Sequence, residues 1–285
     1  MKQRLLTALV GVGVAVAWMF SLYTPVYSAV LAVVAVIGEY EMLKVFEVKN
    51  LPFRIISMAV CGGAVLIADY KKYFMSQFQF PFFSVAAAVV LVSLIIMVFN
   101  FKKLKFEQVA VSLFSALAIG GALSCIILFR DRYLYEGYTK IDGLFLILFA
   151  FFCSWISDGF ALFAGMAFGK HKLAPEISPK KTVEGAVGGV VGNVLFCTAF
   201  YFIMKKFFGL SGAITLPFTV ITAAVLSVIS IFGDLAASTI KRNHGIKDFG
   251  NLLPGHGGVM DRFDSSVFVF SALYGTLEII DKFRF

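Results

Sequence analysis

The chain has 285 residues, 60% of them apolar and 16% aromatic, with a formal net charge of +8 and a mean hydropathy of +0.89. That is more apolar surface than a soluble core of this size buries, which excludes a water-soluble globular protein and makes lipid the solvent for most of the chain. The basic residues are scattered through the connections between apolar blocks and form no continuous arm, so anionic headgroups and a phosphorylated substrate explain the charge, not nucleic acid.

The apolar residues fall in blocks long enough for a helix to cross about 30 Å of hydrocarbon. In chain order these are Leu5 to Leu22, Val26 to Leu43, Ile55 to Tyr70, Phe82 to Phe99, Val109 to Phe129, Gly143 to Phe163, Val183 to Met204, Leu216 to Ala237 and Ser265 to Ile280. The expected fold class is therefore an all-α polytopic integral membrane protein of about nine transmembrane helices. The first block follows Lys2 and Arg4 but has a long apolar run and no small-x-small cleavage site after it, so it reads as an uncleaved span. Cys61, Cys125, Cys153 and Cys197 each stand alone inside a block, without CxxC spacing, and read as packing residues.

A cytoplasmic N-terminus puts 16 of the 25 Lys and Arg residues on the cytoplasmic side, in keeping with the positive-inside rule. The same orientation sends both polar, glycine-rich connections, 169–185 and 238–264, to the cytoplasm, the side where nucleotides are found. Two regions follow: residues 1–140, with about five spans, and 141–285, a catalytic transmembrane region whose polar cavity opens to the cytoplasm.

The segment Ser238 to Asp264 contains five glycines, four basic residues, three acids and two of the chain's three histidines. It is too polar for a lipid-facing helix. Its glycines would let the backbone approach a ligand, while Lys241, Arg242, Lys247 and Arg262 offer positive charge to phosphates. Asp248, Asp261 and Asp264 interleave with these cations, as in a site where Mg²⁺ bridges carboxylates and nucleotide phosphates. The same composition also suits a solvated interfacial loop with surface ion pairs.

Asp158 and Asp234 lie within predicted spans, where an unpaired carboxylate costs at least ~2.5 kcal/mol, so each should face a polar cavity, a partner or a metal. Asp234 falls just before the polar segment, so the chain could bring it beside Asp261 as a two-ligand cation site. In the connection 169–185, Lys170, Lys172, Lys180 and Lys181 surround two prolines, a second phosphate clamp or an ordinary positive-inside loop. Ser178 and Thr182 could donate to phosphate or cap the next helix, with Glu184 in its first turn.

The spacing Ser238, Lys241-Arg242, Lys247-Asp248, Gly250, Leu253-Pro254, His256-Gly257-Gly258, Asp261-Arg262 and Asp264 resembles the signature of the phosphatidate cytidylyltransferases. So does the upstream series Trp155, Asp158, Gly169-Lys170-His171-Lys172, Ser178-Pro179-Lys180-Lys181-Thr182 and Glu184-Gly185. Gly159 and Leu162 depart from the expected hydroxyl and aromatic residue, and the resemblance covers about 151–285. It implies transfer of CMP from CTP to phosphatidic acid, giving CDP-diacylglycerol and pyrophosphate in phospholipid biosynthesis. The enzyme would be a multi-pass protein of the cytoplasmic membrane and a homodimer.

The resemblance further implies Mg²⁺ or Mn²⁺ held by Asp234 and Asp261, with Asp264 and Asp248 as secondary ligands, and allows K⁺ nearby. Lys241, Arg242, Lys247 and Arg262 would hold phosphates, with Ser178, Lys180, Lys181 and Asp158 on the substrate side. His256 would bind phosphate or satisfy backbone carbonyls of its turn. A related enzyme acting on another lipid and an ion-coupled transporter using Asp158 and Asp234 are the rival readings.

Overall fold

The structure is a computed structural model that describes residues 13, 17–74, 82–253, 255 and 257–283. Among these residues seven helical segments are long and apolar enough to cross a membrane, and Ser84–Phe99 is a shorter apolar helix. Of the block 5–22, residues 5–12 and 14–16 lie outside the described residues. The elements are α1 (Pro25–Val45), α2 (Leu51–Phe74), α3 (Phe82–Phe99), α4 (Phe106–Arg130), a 3₁₀ turn (Asp131–Leu134), α5 (Lys140–Phe151), a π turn (Phe152–Ile156) and α6 (Ser157–Phe168). After them come β1 (Lys172–Ala174), β2 (Ser178–Thr182), α7 (Val183–Ile203), a second π turn (Met204–Phe208), α8 (Leu216–Asn243) and α9 (Met260–Lys282).

Helix starts follow local chemistry. Thr139 and Asp142 form a reciprocal capping box at α5, and Thr182 accepts the Gly185 amide at α7. Thr215 accepts the Phe218 amide at α8, where Pro217 has no N–H to satisfy. Helix α8 closes at Gly245, whose φ of +65° favours a residue without Cβ, with the Gly245 and Ile246 amides returning to the Arg242 and Lys241 carbonyls.

The chain divides into two compact units, residues 1–127 with 248–262 and residues 128–247 with 263–285. In the first, α1 packs along α2 and α4 meets α2 at Gly120, where a Cβ would lie 2.7 Å from the Cys61 carbonyl oxygen. Leu43, Val48, Phe53, Leu104 and Val109 make a buried apolar cluster. Acids inside these helices are met by hydroxyls: Ser57 donates to Glu39 at 2.6 Å and Ser28 to Asp69 at 2.7 Å.

In the second unit, α6, α7 and α8 pack in series. Gly185, Gly188, Gly189 and Gly192 line the α7 face turned to α6. A Cβ at Gly189 would sit 2.9 Å from both the Ala161 Cβ and the Ser157 carbonyl oxygen. Small residues four apart let two helix backbones meet where lipid supplies no hydrophobic drive. Asn193 donates to Ser227 at 2.8 Å, a buried polar tie between α7 and α8. Farther along the unit, the Arg132 guanidinium pairs with Glu278 and Asp281, and Tyr138 donates to Asp281. All four cysteines are buried free thiols, in line with packing roles.

The polar segments are more ordered than two loops. Residues 238–243 are the last turns of α8 and 260–264 the first turns of α9, leaving 244–259 as the connection. The 169–185 segment folds as an antiparallel ribbon with Lys172 opposite Thr182 and Ala174 opposite Ser178.

Candidate active site

The helical rod of α5 and α6 is interrupted by the π turn just before Asp158. Such a turn widens a helix by one residue and recurs at functional sites. Ser154 in that turn shares a 3.0 Å hydrogen bond with Ser266 of α9, and Phe151 meets Phe263 and Phe270 edge-on. These contacts set the rotation of α6 and hence the direction of Asp158, whose charged neighbours are Asp234, Lys181 and Asp264.

Asp234, Ser238 and Lys241 follow at i, i+4 and i+7 and share one face of α8. Ser238 donates to Asp234 Oδ1 at 3.3 Å, and Lys181 pairs with Asp234 Oδ2. Lys241, almost completely buried, stands 3.5 Å from Asp264 Oδ2. Gly233 permits this arrangement: a Cβ there would lie 2.9 Å from Phe268 and 3.1 Å from the Ser265 Cα. Helix α9 can therefore press onto α8 one residue from each acid.

The ribbon delivers Lys181. Successive strand residues face opposite ways, so Lys181 turns inward onto Asp234 while Lys180 is exposed. Glu184 clasps the start of the ribbon, accepting the Lys170 amide at 3.0 Å and the His171 amide at 3.2 Å and lying 2.6 Å from His171 Nδ1. Thr182 therefore caps α7 and Glu184 ties the ribbon.

The first unit carries the other half of the signature. Asp261, in the first turn of α9, accepts the Phe249 amide at 2.8 Å and the Gly258 amide at 2.9 Å through Oδ2. Beside it is Glu41 of α1, whose Oε1 accepts the Val259 amide at 3.0 Å and whose Oε2 accepts the Met260 amide at 2.8 Å. Glu41 thereby caps a helix 218 residues away, satisfying donors that every helix N-terminus leaves open.

The glycines of the signature answer to these acids. A Cβ at Gly258 or Gly250 would collide with the Glu41 carboxylate, and one at Gly257, whose φ is +83°, would lie 2.8 Å from Asp261 Oδ2. Protein carboxylates therefore account for their lack of side chains.

Of the residues singled out from the sequence, Asp158, Lys181, Asp234, Lys241 and Asp264 are gathered in the second unit. Asp261 is held in the first. Ser178 sits half-buried at the start of β2, while Lys180, Arg242, Lys247, Asp248 and Arg262 are exposed. Arg242 donates to the Ile246 carbonyl at 3.2 Å. His256 lies outside the described residues. Sequence reasoning missed Glu41, although Glu39 and Glu41 are both acids in a predicted membrane span and that alone is a signal.

Among the described residues no three His, Cys, Asp or Glu side chains stand at metal-ligand spacing. The donor chemistry nevertheless suits a hard divalent cation. Carboxylate oxygens are the donors that Mg²⁺ prefers, and here Asp234 and Asp264 stand beside Lys181 and Lys241.

Fold and site together define a polytopic helical membrane protein with a carboxylate–lysine array suited to phosphate chemistry. The chain belongs to the cytidylyltransferase family, whose model matches residues 2–280. It is 32% identical to a phosphatidate cytidylyltransferase of Bacillus subtilis over 98% of both chains. It is also 32% identical to one of Haemophilus influenzae over 93% of this chain and 94% of that one. A phosphatidate cytidylyltransferase of Staphylococcus saprophyticus is 45% identical over 50% of this chain and 51% of its own length.

Proposed function

We propose that this protein is a phosphatidate cytidylyltransferase, a membrane nucleotidyltransferase that moves CMP from CTP to phosphatidic acid and releases pyrophosphate. The observation that carries the reading is the array of Asp158, Lys181, Asp234, Lys241 and Asp264 built on membrane-spanning helices. The full-length likeness to enzymes of that name supports it.

A phosphate oxygen of phosphatidic acid attacks the α-phosphorus of CTP. A new O–P bond forms, the bond from the α-phosphorus to the bridging oxygen breaks, and pyrophosphate leaves. The nucleophile is already ionised at neutral pH, so the protein has no strong base to provide. Its task is to bring mutually repelling anions into line and stabilise the charge that gathers in the transition state. Lys181 and Lys241 do this from within the array, and Lys180, Arg242, Lys247 and Arg262 offer exposed charge to the phosphates. Asp158, whose charged neighbours include Lys181, is assigned to the substrate side on the signature, and Ser178 donates at the edge of the ribbon.

When bound, a divalent cation supplies charge to the leaving pyrophosphate. Its proposed ligands are Asp234 and Asp261, with Asp264 and Asp248 secondary, an assignment that rests on the signature. His256 is assigned to phosphate binding on the same ground, and K⁺ is a further proposed cofactor.

We place the protein in the cytoplasmic membrane as a homodimer with about nine spans, its N-terminus and both polar segments in the cytoplasm. The distribution of basic residues supports this orientation. Purified protein given labelled CTP and phosphatidic acid with Mg²⁺ should form CDP-diacylglycerol. Phosphorylated lipid without CMP transfer would point to a related kinase, and no incorporation would point to transport.

A further inference from the structure

We propose that Glu41 is a positioning residue for this reaction, holding the 249–261 turn so that Asp261 is presented in one orientation; the inference rests on the cytidylyltransferase reading above. Glu41 is 5% exposed and lies in the last turns of α1, the negative end of that helix's own dipole. A carboxylate there needs compensation from elsewhere. It comes from the Val259 and Met260 amides at the positive end of α9.

The two acids divide the work of one turn. Asp261 takes the Phe249 and Gly258 amides, and Glu41 takes the next two along the chain. Four consecutive or facing donors are thus fixed by two carboxylates. Gly250 and Gly258 lie so close to Glu41 that no other residue fits without moving it. The turn cannot shift independently of Glu41, so a change at position 41 reaches Asp261 through the backbone.

The test compares wild type, Glu41→Gln, Glu41→Asp and Gly258→Ala, all full-length in detergent with phosphatidic acid. Three quantities are read: amide hydrogen exchange across 249–262, kcat and KM for CTP, and the Mg²⁺ concentration giving half-maximal rate. Glu41→Gln keeps the shape but turns an NH₂ toward an amide donor. It should lose protection at Val259 and Met260, lower kcat about tenfold or more with KM for CTP within about twofold, and raise the Mg²⁺ requirement. Glu41→Asp, which keeps the charge, should recover part of both losses. Gly258→Ala leaves Glu41 in place but displaces its carboxylate, so it should reproduce the Glu41→Gln pattern even if other changes at position 41 fail to fold.

Lost protection with unchanged kcat and Mg²⁺ dependence would make Glu41 a structural residue and overturn the proposal. Unchanged protection in an active enzyme would overturn the anchor itself. A wild type that makes no CDP-lipid while Glu41→Gln still loosens the turn would bring down the functional reading and this proposal with it, leaving the hydrogen bonds standing.

Discussion

Asp234 meets a hydroxyl on one oxygen and an ammonium on the other, so its charge, more than its shape, is what its surroundings are built for. Asp234→Asn should lower turnover by roughly 10²-fold, the scale for losing one preorganised electrostatic partner. Helix content by circular dichroism and elution volume should stay as in wild type. Near-normal turnover would remove Asp234 from the site. At this scale the sequence was informative about identity and less so about role. Asp158, Asp234, Lys181, Lys241 and Asp264 were legible because charge inside or beside a span is costly unless used. Glu41 carried the same signal, but its role did not show, because its partners are backbone amides more than two hundred residues away and backbone groups leave no mark in a sequence. For the same reason the glycines at 250, 257 and 258 read as letting the backbone approach a ligand, and their closeness to Glu41 and Asp261 did not show.

Helices α6 and α7 carry Asp158 and, through the ribbon, Lys181, and their separation is set by the glycines at 185, 188, 189 and 192. Gly189→Leu would force a branched side chain against Ala161 and the Ser157 carbonyl, with an expected overpacking cost of about 1–3 kcal/mol. The melting temperature in detergent and the turnover should fall together. Gly275→Ala in α9, where a Cβ meets nothing within 4 Å, should leave both unchanged. A Gly189→Leu protein with wild-type melting and turnover would refute this account of the packing. The apolar blocks located the seven long helices found among the described residues, but not their ends. Hydropathy registers where lipid stops, whereas a helix continues as long as its backbone is satisfied. Asp234, Ser238 and Lys241 share a face of α8, and capping by Glu41 lets α9 begin at Met260, five residues before the apolar block.

For the whole molecule, the proposed orientation puts the ribbon in the cytoplasm. Cysteine introduced as Glu176→Cys, at an exposed position in the ribbon turn, should react with a membrane-impermeant maleimide in inside-out vesicles and stay unreactive in right-side-out ones. The native thiols are buried and give little background. Labelling only in right-side-out vesicles would invert the topology. The division into units with 248–262 grouped with the N-terminal helices was not legible, because a segment contiguous with one set of helices gives no sequence sign that it packs with another. The central claim concerns the reaction, and its most direct test is Mg²⁺-dependent conversion of labelled CTP and phosphatidic acid by the purified protein, with Asp234→Asn alongside. The account predicts CDP-diacylglycerol and stoichiometric pyrophosphate from wild type and almost none from the variant. Equal product from both would contradict the proposed site, and no product from a folded wild type in a lipid mixture that supports a control cytidylyltransferase would contradict the function.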